Sequence, residues 1–328
     1  EPEMVNVDSE LARAHPEWLM ATGGRLPPEG RHQQVLGLAH EGAYDHVRDH
    51  LDALLREYPI SYLKWDHNRD LVDAGRSPDG QPGVHAQTQA LYRLMDELRR
   101  AHPGVEIESC SSGGGRIDLE IVQHTDRVWT SDCNDALERQ QIQRWTSLLL
   151  PLEMLGAHVG PPQSHTTGRR HGLSFRAATA LMGHFGIEWD IASASEAEQA
   201  ELAGWVTLYR RLRGLLHSGD LVRGDHPDPA WMVTGVVSAD AAHAVYVVAA
   251  LATSAYAPAG RVLLPGLADD FDYVVSLPAP SGMPPGFGYP PWMADSPLVT
   301  SGSVLTHLGL QLPLLWPEQA LLVEVTAQ

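Results

Sequence analysis

The chain has 328 residues, 43% of them hydrophobic, and a formal net charge of −18 at pH 7. That length suits one large α/β domain with a smaller companion, and the apolar content supplies a sizeable core. The acidic surface repels phosphate backbones, which excludes nucleic acid as an expected partner, and no stretch approaches the ~20 apolar residues of a membrane helix. Two cysteines, Cys110 and Cys133, are too few for a disulfide framework and lack zinc-type spacing. A reducing, cytoplasmic setting is therefore expected. The chain opens at Glu1 and not at a methionine, so an earlier part of the polypeptide is expected to exist.

The first forty residues give short signals. Met4 and Val5 read as the end of a strand, Asp8 or Ser9 as the cap of a helix over Glu10 to Ala14, and residues 22–33 as a Gly/Pro loop carrying Arg25 and Arg31. From Glu41 onward a regular alternation begins. Val47, Leu51, Leu54, Leu55 and Tyr58 share a helical face, and Ile60 to Trp65 follows as a strand. A helix with Gln87, Leu91, Leu94, Met95 and Leu98 inward leads to a strand, Val105 to Glu108. Then come a helix at Ile117 to Gln123, a strand at Arg127 to Thr130, and a helix burying Ile142, Trp145, Leu148 and Leu149. Leu152 to Ala157 and Gly186 to Trp189 are further strands, separated by a helix over Ser174 to Gly183. A long helix ending near Leu216 closes the series.

Such alternation predicts a parallel sheet with right-handed crossovers. Polar residues stand at the end of every strand: Lys64 and Asp66, Glu108 and Cys110, Asp132, His158, Glu188 and Asp190. An open sheet gathers its ligand groups at one switch point, whereas a barrel uses all its strand ends, so a (β/α)8 TIM barrel over 1–219 is expected. From residue 220 to 328 the pattern is antiparallel. Trp231 to Ser238, Ala244 to Leu251, Arg261 to Leu264, Asp272 to Leu277, Val304 to Thr306 and Ala320 to Val325 read as strands of a small β-sandwich, with 278–291 as a surface excursion.

Three stretches carry chemistry. YLKWDHNRD (62–70) ends a strand in a cation and a carboxylate; a buried ion pair explains it as well as a catalytic acid does. ESCSSGGGR (108–116) matches neither the dinucleotide fingerprint nor the P-loop, so its glycines suit a structural turn or close backbone contact with an uncharged ligand. In VWTSDCNDALERQ (128–140), Asp135 is a helix cap, while Asp132 has no such local reason to be acidic. A divalent metal would want more acidic ligands nearby. Two carboxyls facing across a barrel mouth suit glycoside cleavage without a cofactor, and Trp65, Trp129 and Trp189 could stack on sugar faces or simply fill the core.

These motifs, with EPEMVNVDSELARAHPEW at the start, GAHVGP and HTTGR, FGIEWDI, and GLQLPLLWPEQALL, resemble the α-galactosidases of glycoside hydrolase family 36 across the whole chain. The resemblance implies a retaining mechanism with Asp66 as nucleophile and Asp132 as general acid/base. It also implies Lys64 and Arg31 on the galactose ring, and Cys110 and Gly113 on the pocket floor beside the 2-hydroxyl. No cofactor or metal is implied, and the expected substrates are melibiose- or raffinose-type galactosides. Galactosyl transfer of the raffinose- or stachyose-synthase kind, or a non-catalytic galactose-binding remnant, are the alternatives. The chain departs from the family where Cys133-Asn134 replaces the usual Asn-Thr, which bears on aglycone preference. It also starts near the third barrel strand, so either a longer polypeptide or a separate segment is expected to complete the barrel, with a homo-oligomer as a further expected partner.

Overall fold

A computed structural model describes residues 1–23, 25–76, 79–257, 260–294 and 297–328. Two compact units emerge, Glu1–Asp132 and Cys133–Gln328.

In the first unit, β1 (Met4–Val5) precedes α1 (Glu10–Ala14), whose cap is Ser9, accepting from the Ala12 N–H. β2 (Gln34–Val35) pairs antiparallel with β1. Next come α2 (Glu41–Glu57), β3 (Tyr62–Trp65), α3 (Val84–Ala101), β4 (Glu106–Ser109), α4 (Ile121–His124) and β5 (Arg127–Trp129). β3, β4 and β5 are parallel, with Lys64 opposite Glu108 and Glu108 opposite Arg127. Because side chains alternate along a strand, Trp65, Ile107 and Val128 share one face and are buried, the first two in the apolar cluster shared with α2 and α3. The other face is polar. α2 buries Ala43, Tyr44, Val47 and Leu55, but Leu54 and Tyr58 are exposed; Tyr58 is already extended as the helix cap, where helical spacing no longer applies. The helix expected over Ile117 to Gln123 is confined to the single turn of α4.

The second unit begins with α5 (Ala136–Thr146), β6 (Leu155–Val159), α6 (Leu173–Ala180), β7 (His184–Ile187) and α7 (Glu196–Leu216). β6 and β7 are parallel neighbours. α7 starts at a reciprocal capping box, Ser195 with Glu198. α5 reverses the expected face. It buries Ala136, Arg139 and Gln140, while Trp145, Leu148 and Leu149 are 60%, 64% and 50% exposed. Arg139 and Gln140 tolerate burial because they are satisfied there, by the Cys133 carbonyl and the Thr179 hydroxyl.

The antiparallel part comprises β8 (Asp220–Gly224), β9 (Trp231–Val237), β10 (His243–Ala250), β11 (Arg261–Val262), β12 (Asp272–Ser276), β13 (Gly286–Phe287), β14 (Leu298–Ser301), β15 (Leu310–Gln311), β16 (Leu314–Leu315) and β17 (Gln319–Ala327). Six of these form one sheet in the order β14-β12-β17-β10-β9-β8, and β11–β15 and β13–β16 are small ribbons. Tyr246 and Tyr273 anchor its core, their hydroxyls donating to the carbonyls of Pro265 and Ala241. The strand expected at Val304 to Thr306 is instead a wide helical turn, Val304–Leu308, closed by the Gly309 N–H on the Val304 carbonyl with Gly309 at φ 78°. Leu305 is still fully buried, so the apolar signal was right and its period was not. Among the described residues no helix is long and apolar enough to cross a membrane.

Candidate active site

The polar face of β3, β4 and β5 continues past the strand ends, and the candidate residues lie along it. Lys64 Nζ is 3.2 Å from Glu108 Oε1, a buried carboxylate on the adjacent strand, and 4.1 Å from the centroid of the Trp129 ring on the next. Lys64 is thus held by an ion pair and an aromatic face at once. One residue pair lower, Arg127 bonds Glu106 and lies over the Tyr62 ring. This ladder fixes the cation that the sequence places two residues before Asp66.

Asp66 is half-buried, and its Oδ2 accepts from the Asn68 amide at 2.6 Å. Burial works to raise its pKa. The Cys110 thiol, the Asn68 amide, the His67 backbone N–H and the Lys64 charge outweigh that, holding the carboxyl below the usual aspartate range. Cys110 behaves in the opposite sense: burial and the Asp66 carboxylate push its thiol up to about 12, so it stays protonated. Expected as a simple Lys64–Asp66 pairing, the arrangement is richer. Glu108 takes the direct contact with Lys64, whose charge acts on Asp66 through space.

The glycine run has a structural consequence for Asp132. Gly113 adopts φ +80°, and a Cβ there would lie 2.7 Å from the Asp132 nitrogen. A Cβ on Gly114 would lie 2.4 Å from the Thr130 carbonyl oxygen. Bare backbone at 113 and 114 is what lets the loop after β4 press against the end of β5. Asp132 itself is exposed, and its Oδ1 accepts from the Trp129 indole N–H at 3.0 Å. Trp65 and Trp129, at 2% and 1% exposure, are core side chains and not open stacking platforms. Trp189 in the second unit lies under the Arg176 guanidinium, 4.7 Å from its ring centroid.

Arg31 is exposed, at φ 54° in the tight turn bounded by the Gly30–Gln33 pair. The contacts that draw Asp66 to Cys110, and Gly113 to Asp132, do not involve it. A residue the sequence reading missed is Glu3. Its buried carboxylate accepts from the Trp65 indole at 3.1 Å and from Arg116 at 2.9 Å, with His67 3.7 Å away. It ties the floor beneath 65–67 to the arginine that ends the glycine run. Its only signal was an acid beside an apolar strand.

In the second unit, the residues that follow Asp132 in sequence are clamped. Asp135 caps α5 through the Leu137 and Glu138 N–H groups and also accepts from Thr167 and Arg169. Cys133 Sγ is 3.2 Å from the Thr166 hydroxyl. No group of three or more His, Cys, Asp or Glu among the described residues is placed to hold a metal ion.

Residues 1–219 match the Melibiase family model, and residues 228–324 match that of the glycosyl hydrolase family 36 C-terminal domain. The chain belongs to glycoside hydrolase family 36. An α-galactosidase of Escherichia coli is 44% identical over 331 residues, covering 98% of this chain and 46% of that protein. The α-galactosidase AgaA of Geobacillus stearothermophilus is 37% identical over 283 residues, 84% of this chain and 38% of that protein. A crystal structure of a family 36 AgaA variant in complex with raffinose superposes with a TM-score of 0.90 at 32% identity, covering 100% of this chain and 44% of that one. The chain therefore spans less than half the length of these family 36 relatives. Its fold is theirs: (β/α)8-barrel strands and helices followed by the family's antiparallel C-terminal domain.

Proposed function

We propose that this chain supplies the catalytic carboxylates of a retaining α-galactosidase that removes terminal α-linked galactose from raffinose-type sugars. Asp66 is the nucleophile in this reading. It attacks the anomeric carbon while Asp132 protonates the departing oxygen, and Asp132 then deprotonates the water that releases galactose with its configuration kept. The observation carrying the reading is the environment of Asp66: a half-buried aspartate that accepts from the Asn68 amide at 2.6 Å, its pKa lowered although burial works the other way, with the Cys110 thiol and the Lys64 charge among the causes. A nucleophile needs that state. Lys64 and Arg31 are assigned to the galactose ring, and Cys110 and Gly113 to the floor beneath it. Residues 1–219 are taken as the barrel portion and 220–328 as the β-sandwich, a division supported by the two family models. Substrate choice is argued from the relatives: AgaA variants have been crystallised with raffinose and with stachyose. Both cysteines are thiols, which suits a cytoplasmic location.

The test is trapping. A slow 2-deoxy-2-fluoro-type α-galactoside incubated with the full-length protein should label Asp66, read by peptide mass spectrometry. Labelling elsewhere, or inverted product by NMR, would overturn the mechanism. Product analysis with excess acceptor sugar should give mainly free galactose; mainly transfer product would favour a transferase.

A further inference from the structure

Asp132 is exposed, yet one of its two oxygens is already engaged. The Trp129 Nε1–H donates to Oδ1 at 3.0 Å. The indole cannot easily leave. It is 1% exposed, and Lys64 Nζ stands 4.1 Å from its ring centroid while paired with the buried Glu108. The backbone beneath is equally constrained, because Gly113 fills the space beside the Asp132 nitrogen. An indole N–H donates and never accepts, so Oδ1 has to present a lone pair to it. In the carboxylic acid form, the proton then belongs on Oδ2.

We infer that Trp129 is a positioning residue for proton transfer: by holding Oδ1 it makes Oδ2 the oxygen that passes its proton to the leaving group. This rests on the reading of Asp132 as the acid/base and goes beyond it by naming the atom and the side chain that orients it. In the first step the Oδ2–H bond breaks as the proton moves to the glycosidic oxygen. The anomeric C–O bond breaks with its electron pair going to that oxygen, and the Asp66 carboxylate bonds the anomeric carbon. In the second step Oδ2 takes a proton from water as the water oxygen bonds that carbon and the Asp66–carbon bond breaks. Throughout, the indole N–H stays on Oδ1 and keeps the carboxyl from rotating.

Leaving-group dependence separates this role from a merely structural one. The full-length protein is compared on a 2,4-dinitrophenyl α-galactoside, whose leaving group needs little protonation, and on melibiose, whose leaving group needs it fully. Trp129→Phe should lower kcat/KM on melibiose by about tenfold or more and on the activated substrate by less than about threefold. Should Trp129→Phe fold poorly, replacement of Trp129 by benzothienylalanine decides, since sulfur takes the place of the N–H within the same fused-ring shape. Equal losses on both substrates, or none, in that isosteric variant would overturn the inference. Asp132→Ala is the benchmark. If it too shows no dependence on leaving group, the acid/base assignment falls and the inference with it; if it shows the dependence and the Trp129 variants do not, only the inference falls.

Discussion

The two kinds of sheet in this chain divide labour. β3, β4 and β5 are three or four residues long, and one face of them is a ladder of Tyr62, Lys64, Glu106, Glu108, Arg127 and Trp129. β10 and β17 are eight and nine residues long and almost wholly buried, and β10 has no charged side chain apart from the histidine at its start. The first sheet stabilises itself only where its outer face meets α2 and α3, and its polar face is held by pairing. β10 and β17, by contrast, are core on nearly every residue. A parallel strand end can hold charges in fixed relation at the cost of packing; a long antiparallel strand offers packing and little chemistry.

That contrast breaks if substitutions in the two regions have similar effects. The largest separation is expected at Asp66→Asn, which should lower kcat by roughly 10⁴-fold or more while leaving the thermal midpoint within about 2 °C. A comparable loss of stability would mean that the polar face is structural. Tyr246→Ala should do the reverse. It removes a fully buried ring that lies against Gly235 and a hydroxyl bound to the Pro265 carbonyl, so about 3–5 kcal/mol of stability should vanish in denaturant titration. Activity per folded molecule should stay near the parent value.

Glu324→Gln sharpens the comparison by pH. Burial would raise the Glu324 pKa, but Arg211 and His243 hold it down from 4.5 to about 2. Its contribution is therefore present above pH 4.5 and disappears as pH falls through about 2. The stability gap between parent and variant should be about 2 kcal/mol near neutrality, less than the full shift because Arg211 is half exposed, and should close in acid. A gap independent of pH would sink the ion-pair explanation. The smallest effect is expected at Cys110→Ala. Without the thiol donor the Asp66 pKa rises, so the acid limb of the kcat/KM profile should move to higher pH with only a few-fold loss at the optimum. An unmoved limb would show that the thiol does not reach Asp66.

Much of this was legible because it is local. Lys64 and Asp66 are two residues apart on a strand end, and Asp135 caps the helix it precedes. What escaped is non-local. Glu3 is buried only because Trp65 and Arg116, distant in sequence, bring it donors. The edge strands β8 and β14 were not read, since an edge is half-exposed and loses the apolar signal. The helix α5 defeated its own periodicity, because the partners of Arg139 and Gln140 favour burying those polar side chains while Trp145 faces outward. Hydropathy alone cannot see satisfied hydrogen bonds.

The seating of Gly113 against the Asp132 nitrogen joins two assigned tasks at one point of the backbone. The loop assigned to the sugar's underside and the segment assigned to proton delivery share one backbone contact, with no side chain between them to absorb a shift. Reshaping the floor to admit a bulkier ring substituent would then disturb turnover as well as selectivity. Engineering routes that change both loops together should outperform those that change either alone.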